Sequence, residues 1–127
     1  MEIIISTQIN ASAKEIFHAW LSTTGHSKMT GGEANASNKI GDSYTAWDGY
    51  ISGTNIELIK FTKIVQSWRT DDFSKEEEDS ILSIELKDLN GKTEVKLTHT
   101  NLPEHGEQYI EGWEEHYFTP MKAYFSK

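Results

Sequence analysis

His99 is the polar side chain in this sequence best placed to do chemistry. It ends the run Thr93-Glu94-Val95-Lys96-Leu97-Thr98-His99, where Val95, Leu97 and His99 alternate with polar residues and so share one face of a strand. If that face turns inward, an imidazole that titrates near neutrality stands at the interface between a sheet and whatever covers it. There it could donate to a ligand or accept from one. The competing reading is a core or rim histidine satisfied by a backbone carbonyl, and the adjacent Thr100-Asn101, where the strand ends, favours the rim. Trp68, Trp113 and Tyr117, with Tyr50 and Phe17 as weaker additions, are candidates for a cavity wall, because large rings leave gaps that suit flat apolar ligands. A packed core uses the same rings at the same spacing.

Arg69 follows Trp68 and could hold an anionic ligand group or a partner carboxylate. In so acidic a chain, a pair with a nearby Asp or Glu is the simpler expectation. The run Asp71-Asp72-Phe73-Ser74-Lys75-Glu76-Glu77-Glu78-Asp79 carries six acids and one base. It reads as a solvated, mobile loop, or as an acidic patch meeting a basic partner with Phe73 as its apolar anchor. His26, His99, His105 and His116 are dispersed, and Glu114-Glu115-His116 does not match HExxH spacing, so no metal is expected. No GxSxG, Walker loop or GxGxxG occurs, and catalytic residues are not assigned. A small enzyme using His99 as acid or base stays open as the weakest reading.

The elements that must position these residues can be read from the pattern. The 127 residues suit one domain, 1–127. A charge of −8 and a pI near 5.0 disfavour nucleic acid and anionic membranes as partners. The chain has no cysteine, which removes disulfides and thiolate chemistry. Its opening, Met1-Glu2-Ile3-Ile4-Ile5, is too short and acidic for a signal peptide, so a cytoplasmic protein is expected. Residues 2–9 predict a strand with Ile3, Ile5, Thr7 and Ile9 on one face. Ser12-Ala13-Lys14-Glu15 is a capping box, opening a helix over 13–22. Residues 23–42, with four glycines, predict a loop with at most one helical turn near His26–Met29. Asp48-Gly49 and Asn90-Gly91 predict tight hairpins within an antiparallel meander over 43–100. Tyr109, Trp113, Tyr117, Met121 and Phe125, with Ile110 and Tyr124 alongside, lay an apolar stripe on a helix over 105–126. Pro120 should kink it or split off its last turn. The fold class is α+β in two layers, sheet on helix.

Several phrases then resemble a known family. They are Tyr50-Ile51-Ser52-Gly53, Ile64-Val65-Gln66-Ser67-Trp68-Arg69, Gly91-Lys92-Thr93-Glu94-Val95, Leu102-Pro103, and Gly112-Trp113 with Tyr117-Phe118. In order and spacing they resemble the START-like (SRPBCC, Bet v 1-like) helix-grip superfamily, especially the branch similar to the C-terminal domain of the activator of heat-shock protein 90 ATPase. The resemblance implies a curved antiparallel sheet wrapped around a long C-terminal helix, usually with a cavity between them. Family members include binders of apolar small molecules, stress-related proteins and chaperone activators. A non-catalytic domain binding a small hydrophobic ligand, without a cofactor, is therefore expected first. A co-chaperone-like module acting on a chaperone is expected second.

Overall fold

The computed structural model describes residues 1–126. Strand β1 (Ile3–Ile9) buries Ile3 and Ile9 on the predicted face. The capping box forms as the sequence implies. The Glu15 amide donates to Ser12 Oγ at 3.1 Å and the Ser12 amide to Glu15 Oε1 at 3.2 Å. Helix α1 (Ala13–Trp20) then buries Ala13, Ile16, Phe17 and Trp20.

A second helix, α2 (Thr23–Thr30), occupies the stretch expected to be mostly loop. Ser22 caps it through the Gly25 amide, and Gly31, at φ +89°, ends it. Gly25 reads as a helix breaker in the sequence but is there for packing. A Cβ at that position would lie 2.7 Å from the Ala19 backbone, so only glycine lets α2 fold back so closely on α1.

The meander comprises β2 (Ser43–Ala46), β3 (Ile51–Ile59), β4 (Lys63–Thr70), β5 (Ser80–Asp88) and β6 (Thr93–Thr100). All pairings are antiparallel, and the first strand joins the last, giving the order β1-β6-β5-β4-β3-β2. A bulge between Asn55 and Glu57 bends β3. The inner face carries Ile64, Gln66, Trp68 and Thr70 from β4, Leu82, Ile84 and Leu86 from β5, and Val95, Leu97 and His99 from β6. These side chains join those of the helices in one core. The buried amides are paired. Gln66 accepts from Trp20 Nε1 and donates to Asn55, whose own Nδ2 donates to the carbonyls of Ser37 and Lys39.

Asn90-Gly91 makes the predicted tight turn, both residues at positive φ. Asp48-Gly49 makes the other predicted turn, both residues at positive φ and the Tyr50 amide donating to the Trp47 carbonyl at 3.1 Å. Ala46 pairs with Ile51, which leaves the four residues 47–50 as the loop. Trp47, Asp48 and Gly49 adopt φ of 49°, 60° and 89° in succession.

A helix over residues 104–125 crosses the concave face of the sheet. It runs as a 3₁₀ turn (Glu104–Glu107), an α segment (Gln108–Trp113), a π turn (Glu114–Phe118) and a second α segment (Thr119–Phe125). Tyr109, Trp113, Tyr117 and Met121 are buried as the stripe predicts, whereas Ile110 is exposed. Pro120 does not split the helix. Its missing N–H and its ring conflict with the carbonyl four residues earlier, and the wider π turn over that carbonyl absorbs the conflict. Among the described residues, no helix is long and apolar enough to cross a membrane.

Candidate functional site

The 47–50 loop, the ends of β3 and β4 and the middle of the C-terminal helix surround a cleft of about 290 Å³. The loop supplies Trp47 and Tyr50, the strands Ile51 and Trp68, and the helix Tyr109, Gly112, Trp113, His116 and Tyr117. Nearly all of its surface is apolar. Gly112 forms part of its wall. A Cβ there would meet nothing within 4 Å, so no close packing requires glycine in this mid-helix position, where it costs about 1 kcal/mol relative to alanine.

The rings of the wall are held by their polar tips. Trp113 Nε1 donates to His99 Nδ1 at 3.1 Å. His99 must then carry its proton on Nε2, which donates to Ser80 Oγ at 2.7 Å, and Ser80 donates in turn to the Trp68 carbonyl at 2.6 Å. Burial pushes the imidazole down to about 3, so it is neutral. A proton on Nδ1 would face the indole N–H directly. Tyr117 is anchored the same way. The Trp20 carbonyl can only accept, so His26 donates to it from Nδ1 and accepts the Tyr117 hydroxyl at Nε2, both at 2.8 Å. Burial lowers the His26 pKa, and the bond to the Trp20 carbonyl opposes it. Burial raises the Tyr117 phenol. The Tyr109 hydroxyl meets Thr70 Oγ1 at 2.6 Å, and the Tyr50 hydroxyl donates to Asp72 at 2.5 Å. These four rings are fixed at their polar ends, and their apolar surfaces line the cleft. Among the described residues, no cluster of three or more His, Asp or Glu could hold a metal.

With this geometry in view, the comparisons with known proteins decide the family. Residues 10–126 match the family model described as "Activator of Hsp90 ATPase homolog 1-like protein". The chain belongs to that family. A relative from Dictyostelium discoideum, "Activator of 90 kDa heat shock protein ATPase homolog", is 32% identical over 90 residues. The match covers 70% of this chain but only 24% of that protein, so the chain spans about a quarter of its relative's length. Among solved structures, an HSP90 activator from Plasmodium falciparum superposes with a TM-score of 0.88 at 23% identity, over 97% of this chain and 94% of that one. The Aha1 dimer from Colwellia psychrerythraea gives a TM-score of 0.80 at 17% identity, over 99% and 97%. At such identities the likeness is one of fold, and the fold is the helix grip that the sequence resemblance implies.

In this Hsp90-activator-like domain, the residues singled out from sequence separate into groups. Tyr50, Trp68, Trp113 and Tyr117 line the cleft together. Phe17 does not line it. It lies edge-on to Phe61, 5.7 Å away, about one turn before Trp20, and Trp20 is the α1 ring that reaches Trp113 and Tyr117. His99 is neither at the rim nor in the cleft. It is fully buried behind Trp68 and Trp113. The strand end does not expose it, because Ile3 and Leu82 flank it on the neighbouring strands and the helix covers it.

Arg69 and Phe73 are engaged within the chain, Arg69 half-buried and Phe73 buried. Arg69 pairs with Asp79 at 2.7 Å, donates to the carbonyls of Ser74 and Glu77, and lies 5.3 Å over the Phe73 ring. Phe73 is buried against Trp68 and Tyr109. His105 holds Glu77 at 3.0 Å, and this bond is the main reason the carboxyl pKa is lowered. The acidic loop, expected to be mobile, is therefore tied down at several points. Trp47, Ile51, Tyr109, Gly112 and His116 line the cleft without having been singled out for it. The spacing Tyr109, Gly112, Trp113, His116, Tyr117 was a usable signal, since the glycine falls on the same helix face as the rings.

Proposed function

We propose that this domain binds a small, flat, apolar molecule in the cleft between the 47–50 loop, the sheet and the C-terminal helix. The observation that carries the proposal is Gly112, a helix-weakening residue that no close contact requires and that stands in the wall of an aromatic-lined hollow. At about 290 Å³ the cleft lies near the lower end of ordinary ligand sites, roughly 300–1,000 Å³, which suits fused-ring molecules better than sterols or long acyl chains. The polar groups around it hold the wall rather than attack a bound molecule, so the role is binding, not chemistry.

The test is thermal unfolding in the presence of aromatic, fatty and sterol-like panels. A ligand at 100 times its dissociation constant adds about 2.7 kcal/mol, which for a chain of this size raises the midpoint by roughly 10 °C. Gly112→Leu fills the cleft and should abolish the shift while the protein stays folded. No shift with any panel, or a shift that survives Gly112→Leu, refutes the proposal. A second reading, modulation of a chaperone ATPase, is favoured by the descriptions of the Dictyostelium relative and the Plasmodium structure as Hsp90 activators. It predicts a changed Hsp90 ATPase rate on adding the domain at low salt. An unchanged rate with no detectable complex removes it.

A further inference from the structure

Trp47 stands apart from the other rings of the cleft. Its indole Nε1 is buried and has no hydrogen-bond partner, and among the described residues no other buried side-chain nitrogen or oxygen is left so. Trp113, Tyr117, Tyr109 and Tyr50 have all committed their polar atoms to the protein. The Trp47 backbone is also unusual. A bulky residue at φ 49° is uncommon, and two further left-handed residues follow it. The loop keeps this shape through the Asp48 amide, which donates to the Glu33 carbonyl at 2.9 Å, and the Glu33 amide, which donates to the Asp48 carboxylate at 3.2 Å. The outcome is that the ring lies flat on Gly32, where an added methyl would overlap it, with His116 edge-on at 5.3 Å. Backbone strain and an orphaned donor on one residue at the mouth of a cleft point to a role in binding.

We infer that Trp47 determines what the cleft accepts. Its indole N–H donates to an acceptor atom on a flat aromatic ligand, so the preferred class is a fused-ring molecule bearing a neutral ring nitrogen or carbonyl. Nε1 is shut away from water, so the ring must turn or shift for the bond to form. Trp47 is half-buried on a hairpin loop and, unlike Tyr50 on the same loop, has no hydrogen bond holding its polar tip, which makes it the part of the wall best able to do so. The inference rests on the ligand-binding reading above and adds the chemistry of the ligand to it.

Two isosteric probes separate the claims. Naphthalene has no acceptor, and isoquinoline carries one and is neutral at pH 7.5. Dissociation constants for both are measured by ligand titration of the wild-type protein and of Trp47→Phe, which keeps an aromatic ring and loses the N–H. The preference for isoquinoline over naphthalene should fall about tenfold in the variant, the worth of one hydrogen bond. Isoquinoline should also shift one indole N–H resonance, the one missing from the Trp47→Phe spectrum, and naphthalene should not shift it downfield. If both probes bind and the preference is the same in the two proteins, Trp47 is not the donor and the cleft still binds ligands. If neither probe binds, nor any member of the panels, both readings fall together.

Discussion

Replacing His99 by asparagine tests whether its imidazole is held neutral as part of the fold. The unfolded chain takes up a proton on this residue below pH 6.5, and the folded chain does not until about pH 3. Between those values the unfolded state binds more protons, so stability is complete above pH 6.5 and is lost as the pH falls. One proton is worth 1.36 kcal/mol per pH unit. His99 alone therefore removes about 2 kcal/mol between pH 6.5 and 4.5, and roughly 4 kcal/mol by pH 3. His26, also lowered by burial, and the carboxylates contribute in the wild-type protein and the variant alike. The asparagine side chain keeps an acceptor near the position of Nδ1 for Trp113 and cannot titrate. The assay is urea denaturation at half-unit steps from pH 7 to 4, comparing the slopes of stability against pH. His99→Asn should be less stable at pH 7 but shallower by about 1.4 kcal/mol per unit below pH 6. Imidazole NMR should show His99 neutral down to pH 5 in the wild type. Equal slopes, or a His99 resonance titrating near pH 6.5, would refute the buried neutral relay.

The remaining predictions concern packing. Trp113→Ala should cost about 3–5 kcal/mol in chemical denaturation, since the ring is 2% exposed and touches Trp20, Trp68, His99 and Tyr117; under about 1 kcal/mol would mean that it is not core. Gly112→Ala should instead stabilise the protein by about 0.5–1 kcal/mol, because the added methyl meets open space; a loss of stability would show that something does pack there. Gly53→Ala should destabilise by more than about 2 kcal/mol, because its Cβ would overlap the Ser67 backbone carbonyl that Tyr44 also bonds at 2.7 Å; a neutral melt would show that β3 and β4 can part there.

How much of this was legible in the sequence depends on the range of the interaction involved. The capping box, the alternation in β1 and β6, the Asn-Gly turn and the helix stripe are local patterns, and each formed where its residues predict. Helix α2 was missed because its glycine is explained by Ala19 on another element, a contact no local pattern shows. The Asp48-Gly49 turn formed, but the left-handed backbone of Trp47 beside it was missed for a related reason. The loop is shaped by Glu33, fourteen residues before Trp47, and by the seat on Gly32. Four of the cleft residues were in view as large rings, but Phe17 and His99 were misplaced. Facing the interior did not decide whether a side chain meets the hollow, the Phe61 ring or the sheet behind Trp113.

The buried polar groups and the hollow have a common physical cause. An apolar cleft among close-packed rings is unstable towards collapse, because each ring gains dispersion by moving into the gap. Phenylalanines there would have nothing to resist that movement. Tryptophan and tyrosine keep the same apolar surface and add a polar handle. Here the handles run to His99, His26, Thr70 and Asp72, on β6, α2, β4 and the acidic loop. For a buried ring to slide into the cleft it must break such a bond and leave a donor or acceptor unpaired, at about 1–3 kcal/mol each. The two histidines thus stand behind the wall because imidazole can accept from a ring on one nitrogen and donate to the scaffold with the other. Arg69 serves the same end one layer further out, since it holds the loop whose Asp72 anchors Tyr50. The polar side chains that looked like chemistry in the sequence keep the apolar site from closing.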